Sequence, residues 1–135
     1  GEAEFHCLES EGSFLLSWSA NDRSYAVPAS AARLLSAGCT VVCNVSRQIV
    51  EEARRRFPRT FVIEITARPE TLAQRLEARG RENAPDIARR LARGHDLRAS
   101  VRADRTILNE GTVASGAAEL VAGIRAAAAM SDAPA

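Results

Sequence analysis

Two short β-type runs open the hydrophobic pattern. Residues 14–21 (FLLSWSAN) and 24–27 (SYAV) are separated by Asp22-Arg23, the spacing of an antiparallel hairpin. Pro28 stands at a first-helical position before a helical pattern over 29–37, which Gly38 stops. Residues 40–45 (TVVCNV) are apolar and β-branched with little alternation, which predicts a strand covered on both faces. Ser46 is placed to cap a helix over 47–57. Its Ile49, Val50 and Ala53 share one side, and its Glu51/Arg55 and Glu52/Arg56 pairs read as a solvated face. Residues 60–66 (TFVIEIT) form a second strand, and Pro69 opens a helix in which Leu72 and Leu76 share a face. A polar loop over 80–86 leads to a helix from Pro85 through Ile87, Leu91 and Leu97. Residues 105–110 (RTILNE) supply a third strand, Gly111-Thr112 a cap, and 113–129 an amphipathic terminal helix, followed by a disordered tail over 131–135. Strands alternating with helices at this spacing predict a parallel sheet between helix layers, the α/β class, in one domain over 1–130.

Composition narrows the classes. At 135 residues and 46% hydrophobic the chain has material for one core and hardly for a second. No run approaches eighteen consecutive apolar residues and the first ten are acidic, so neither a membrane span nor a secretory signal is expected. Cys7, Cys39 and Cys43 are an odd set, which argues against a disulfide framework and for a reducing, cytoplasmic setting. His6 and His95 are isolated, and no metal-ligand spacing is present. With a net charge of +1 and 4% aromatics, nucleic acid is a poor partner.

The charge distribution says more than its sum. All eighteen basic residues are arginine, so the Gly-Lys-Ser/Thr ending of a Walker-type phosphate loop is absent from this stretch. Residues 47–105 carry fifteen arginines against nine acids. This bias has two readings, bidentate recognition of phosphate or carboxylate and codon composition. The densest segment is 74–93, QRLEARGRENAPDIARRLAR, where Arg75 and Arg79 lie one turn apart, Arg81 follows in a loop, and Arg89, Arg90 and Arg93 return on the next helix. Such a segment can close over a polyphosphate; alternatively its arginines pair with Glu77, Glu82 and Asp86 on a solvated surface.

Several segments, taken in order, resemble a known family. RLEARGREN...IARRLAR resembles the lid of guanylate-kinase-like enzymes, and the spelling R-G-R-E-N is closest to ribose 1,5-bisphosphate phosphokinases. VVCNVSR over 41–47 is similar to the V-V-V-N-G-S-R strand end of those enzymes, where guanylate kinases carry an aspartate at the position of Asn44. LLSWSANDRSYAVPAS resembles their L-x-W-x-A-x-G-x-x-Y-G-V-P stretch, with Ala26 where the family usually has glycine. T-I-L-N-E-G is similar to their Asn-containing loop beside the adenine, and the resemblance runs over nearly all of 1–127.

The resemblance implies a guanylate-kinase-like fold with a small acceptor-site hairpin, an acceptor-binding part over about 1–37 and a helical lid over about 74–95. It implies transfer of the γ-phosphoryl group of ATP, with Mg2+, to the phosphosugar ribose 1,5-bisphosphate, giving 5-phosphoribosyl 1-diphosphate. Arg75, Arg79, Arg81 and Asn109 match the ATP side, and Arg79 and Arg90 match catalytic lid arginines. Tyr25, Asn44, Ser46 and Arg47 match the acceptor side. The family's phosphate loop and its Mg2+-binding hydroxyl lie upstream of the residues present, so the stretch reads as N-terminally truncated and inactive alone. A cytoplasmic enzyme of phosphonate catabolism is implied, with no membrane or nucleic-acid partner and with a homodimer left open. The alternatives are a guanylate or other nucleoside monophosphate kinase, and a non-catalytic guanylate-kinase-like binding module.

Overall fold

The computed structural model describes residues 1–20, 22–79 and 102–131. The chain forms two compact units, Gly1–Pro58 and Arg59–Ala135.

The first unit is built on the hairpin. Strands β1 (Phe14–Ala20) and β2 (Arg23–Pro28) pair antiparallel, with Trp18 opposite Tyr25 and Ala20 opposite Arg23. The connection is therefore 21–22, one residue earlier than the sequence suggested, and Arg23 belongs to the strand. Asp22 makes this possible with φ of 57°, a left-handed conformation that Asp tolerates through its short polar side chain. Helix α1 (Glu2–Ser10) precedes the hairpin and α2 (Ala31–Ser36) follows it. Both helices end in the same way. Gly12 (φ 73°) and Gly38 (φ 80°) sit just past the last turn, and Ser13 and Cys39 donate back to the carbonyls of Leu8 and Leu34. This is the Schellman arrangement, which needs a residue free to take positive φ.

A 3-10 turn, Arg47–Ile49, runs into α3 (Val50–Arg56), where the expected Glu52–Arg56 pair forms at 3.3 Å on an exposed face. Leu16, Val27, Ala31, Ile49 and Ala53 form the core of this unit, with Leu15, Trp18, Val41, Val45 and Phe57 packed against it.

Three local expectations are corrected here. Pro28 is the last residue of β2, paired with Phe14, and not the first of a helix. The Ala29 amide still donates across to Ser13 at 2.8 Å, so the helix waits until Ala31. Residues 40–45 form no strand. A strand exists only on a ladder, and the described strands of this unit pair with each other. Ser46 occupies the cap position of the 3-10 turn in extended conformation, but its side chain makes no capping hydrogen bond.

The second unit holds a parallel strand pair, β3 (Ile63–Thr66) beside β4 (Arg105–Leu108), with Ile63 opposite Arg105 and Thr66 opposite Leu108. Asp104 sets the start of the ladder: its carboxylate accepts the Val62 amide at 2.7 Å. Helix α4 (Pro69–Arg79) begins at Pro69 as the sequence predicts, because proline at the first helical position gives up an amide that would have no helical partner. Helix α5 (Val113–Ser131) is capped by Thr112, whose hydroxyl oxygen accepts the Ser115 amide at 3.1 Å.

Helix α5 lies on the strand pair through Gly123, which is buried. A Cβ there would fall 3.2 Å from Ile63 Cδ1 and 3.4 Å from Arg105 Cδ, so glycine sets how closely helix and strands approach. Although it has no wholly apolar run of eighteen, Val113–Met130 reaches a mean hydropathy of 1.3 and is long and apolar enough, by length and composition alone, to cross a membrane.

Candidate functional site

In the second unit the polar side chains gather where the two parallel strands end. Both strands finish at one level, Thr66 opposite Leu108, and the Asn109 amide extends the ladder by one bond, 2.6 Å to the Thr66 carbonyl. Beyond this the backbones diverge, one into α4 and one into α5. Divergence at the carboxyl ends of parallel strands opens the crevice in which α/β sheets take their ligands.

Two neighbouring residues of the β4–α5 turn hold α4. Arg75 donates from a guanidinium nitrogen to the Asn109 carbonyl at 2.8 Å, and this contact is partly buried. A carbonyl orients the cation without neutralising it. Glu110 grips the helix start: one carboxylate oxygen accepts the Arg68 amide at 2.5 Å and the other accepts the Thr71 hydroxyl at 2.7 Å. The Arg68 side chain lies 3.5 Å from the same carboxylate. The Leu72 amide donates to the Arg68 carbonyl, so Arg68 is the residue at the cap position. Arginine has no acceptor with which to cap, and Glu110 supplies one from the neighbouring turn, with a negative charge at the positive end of the helix.

The Arg68 amide, followed by the Thr71 hydroxyl and, more weakly, the Arg68 charge, holds the Glu110 carboxyl below the usual glutamate range against an opposing effect of partial burial. A lowered value means the folded state binds the proton less readily than the unfolded state. The stabilisation is therefore complete above the ordinary glutamate range and is lost as pH falls through the lowered folded value. Thermal melts across that range are expected to show native protein more stable than Glu110→Gln near neutrality, with the gap closing in acid. A gap that stays constant into strong acid contradicts this.

Asn109 has a second distinctive atom. Its buried side-chain Oδ1 has no hydrogen-bond partner among the described residues and lies 2.9 Å from where a Cβ on Gly116 would be.

Of the residues expected on the ATP side, Arg75 and Asn109 are brought into contact. Arg79 is the last residue of α4, one turn beyond Arg75. Arg81 and Arg90, and the helix expected from Pro85, lie outside the described residues.

The acceptor-side residues belong to the first unit. Tyr25 is 40% exposed on β2 and stacks on Trp18, with ring centroids 5.6 Å apart and planes 12° from parallel. Trp18 packs against the core and so gives the tyrosine a firm backing. Ala26 has no positive φ, so the usual family glycine is not required by the backbone here. Asn44 is exposed, and Ser46 and Arg47 are half-buried. Gln48 donates to the Ser19 carbonyl at 2.6 Å, which ties the Arg47–Ile49 turn to β1. Helix α1 is tied to the same strand, since Ser17 donates to Glu9 at 2.5 Å and His6 lies 3.5 Å from that carboxylate. The Ser17 hydroxyl is the main cause that holds the Glu9 carboxyl below its ordinary value. A cleft of about 590 Å³ between α1 and the hairpin turn, lined by Glu2, Phe5, Ser19, Asp22 and Arg23 among others, includes none of the four expected acceptor residues.

Among the described residues no group of three or more His, Cys, Asp or Glu could hold a metal ion. Glu110, Arg68 and Thr71 escaped the sequence reading. The available signal was an uncapped helix start, R-P-E-T, which calls for an acceptor from elsewhere in the chain.

These features define an α/β protein whose polar groups collect at the carboxyl ends of a parallel strand pair. No protein-family model matches the chain. Curated relatives do. The chain is 50% identical over 115 residues to the ribose 1,5-bisphosphate phosphokinase PhnN of Methylobacterium radiotolerans, covering 85% of this chain and 63% of that protein. The PhnN proteins of Acidiphilium cryptum and Pseudofrankia inefficax are 54% and 41% identical, over 79% and 89% of this chain and 58% and 63% of their own lengths. The chain thus spans about three-fifths of these relatives. Over that part it is similar to ribose 1,5-bisphosphate phosphokinases of the PhnN type.

Proposed function

We propose that the protein carrying this chain transfers the γ-phosphoryl group of ATP to ribose 1,5-bisphosphate, forming 5-phosphoribosyl 1-diphosphate and ADP. The observation that carries the reading is the Arg75 guanidinium fixed at the Asn109 carbonyl, at the carboxyl end of the parallel pair, in a chain about half identical to proteins of that name. In this reading both units belong to one guanylate-kinase-like domain. Arg75, Arg79, Arg81 and Asn109 serve ATP, and Tyr25, Asn44, Ser46 and Arg47 serve the phosphosugar.

The chemistry follows from the product. An oxygen of the 1-phosphate attacks the γ-phosphorus while the bond from that phosphorus to the bridging oxygen of ADP breaks. Positioning and stabilisation of negative charge supply most of the acceleration in such transfers. Arg79 and Arg90 are assigned to the transferring group. Mg2+ bound with ATP would supply further charge neutralisation; the described residues form no cluster to hold it, and no step is routed through it. A cytoplasmic enzyme of phosphonate breakdown, with small-molecule substrates and an open option of a homodimer, completes the reading.

The test offers MgATP to the whole protein with ribose 1,5-bisphosphate and with GMP in parallel. The expected outcome is 5-phosphoribosyl 1-diphosphate from the first, and GMP turnover slower by at least about 100-fold, since a site built to hydrogen-bond one acceptor rejects another strongly. Absence of the diphosphate product overturns the proposal.

A further inference from the structure

We infer that Glu110 is a positioning residue for the ATP side of the site, setting the direction of α4 and with it the Arg75 guanidinium; this rests on the functional reading above.

Helix α4 lacks a cap of its own. Its cap residue is Arg68, which has no acceptor to offer the first turn, and it is followed by Pro69. A helix started this way has no local device to fix its direction. Glu110 provides one through two carboxylate oxygens, at 2.5 Å to the Arg68 amide and 2.7 Å to the Thr71 hydroxyl. Two oxygens with two separate partners constrain rotation as well as distance.

The next residue back, Asn109, receives Arg75 at 2.8 Å. Residues 109 and 110 therefore fix α4 at its first turn and at its second, and both anchors stand on the end of β4, whose ladder to β3 is closed by the Asn109 amide. Releasing the first anchor lets the helix pivot. The guanidinium at the second anchor then leaves the place where a nucleotide phosphate would meet it. An error of one ångström at such a group is costly, because charge stabilisation depends on pre-set geometry.

A bare carboxylate beside a polyphosphate would repel it. Here the charge is held by an amide, a hydroxyl and a guanidinium. Glu110 thus acts through Arg75 and is not itself assigned a contact with ATP.

The test is a double-mutant cycle on the whole protein, read as the dissociation constant for MgATP by calorimetry. Glu110→Ala and Arg75→Ala are each expected to weaken binding by about 10- to 100-fold, the loss that accompanies a hydrogen bond to a charged group. The double variant is expected to be no weaker than Arg75→Ala alone, within about threefold, since a residue that acts through Arg75 has nothing to position once it is gone. Glu110→Gln, which keeps an acceptor for the Arg68 amide, is expected to recover most of the affinity. If Glu110→Ala does not fold, Thr71→Val removes one of the two grips and enters the same cycle.

Additive losses in the cycle, or unchanged binding by Glu110→Ala or its Thr71→Val substitute, overturn the inference and leave the functional reading intact. Failure of the wild-type protein to bind MgATP overturns both.

Discussion

Alanine at Arg90 is expected to lower kcat by about 10³-fold, within the range that a transition-state arginine contributes to phosphoryl transfer. In the proposed transfer negative charge spreads over the equatorial oxygens of the moving phosphoryl group, and a fixed cation opposite them lowers the barrier without binding the ground state more tightly. The loss should therefore fall on kcat, with little change in the KM for ribose 1,5-bisphosphate. The competing reading, a solvated ion pair with a neighbouring acid, predicts something different. Such pairs contribute up to about 1 kcal/mol to stability, so their loss moves the thermal midpoint by a few degrees and leaves turnover almost untouched. Steady-state kinetics with MgATP beside thermal melts decide between them. A fall of less than about tenfold in kcat, or a melt shifted in proportion to the lost activity, assigns Arg90 to the surface.

Ile107→Ala is expected to destabilise the protein by about 2–5 kcal/mol. Ile107 is 1% exposed, the largest side chain fully buried among the described residues, and sits opposite Ile65 in the parallel register. Removing its three outer carbons leaves a cavity bounded by a ladder and a helix that cannot easily collapse into it. Its position adds a consequence for the site. Asn109 follows two residues later on the same backbone, so slackening β4 also loosens the carbonyl that holds Arg75. Denaturant unfolding should show the lower midpoint with an unchanged slope. A loss below about 1 kcal/mol would mean that the site repacks around the smaller residue.

The elements legible in the sequence were those with local signals. Pro69 opened α4, Thr112 capped α5 and Gly38 closed α2, each through chemistry within a few residues. The hairpin was legible for the same reason, displaced only by the conformational tolerance of Asp22. Residues 40–45 have strand composition, yet a strand is a property of two segments, and composition reports on one. The parallel pairing of β3 with β4 followed from alternation of strands and helices, but its ends did not, because the Asp104 carboxylate sets the start.

For the candidate site the sequence offers residues and not contacts. Arg75 and Asn109 were both named from resemblance, while the bond between them joins positions 34 apart in sequence. Glu110 was missed altogether. Its link to the Arg68 amide spans 42 positions, and an isolated glutamate after a strand looks like any other surface acid.

The pairing of β3 with β4 also sets an order of assembly. β1 finds its partner across a two-residue connection, so that pairing can form as soon as both strands leave the ribosome. β3 must wait while all of 67–104 is synthesised before Arg105 arrives to face Ile63. During that interval the edge of β3 that β4 takes up and the Ile63 surface that α5 meets are open, and open edges are where nascent chains associate wrongly. The late-arriving segment that pairs with β3 is also the one that carries Asn109 and Glu110, so the nascent chain forms this ladder and acquires both anchors of α4 in a single event.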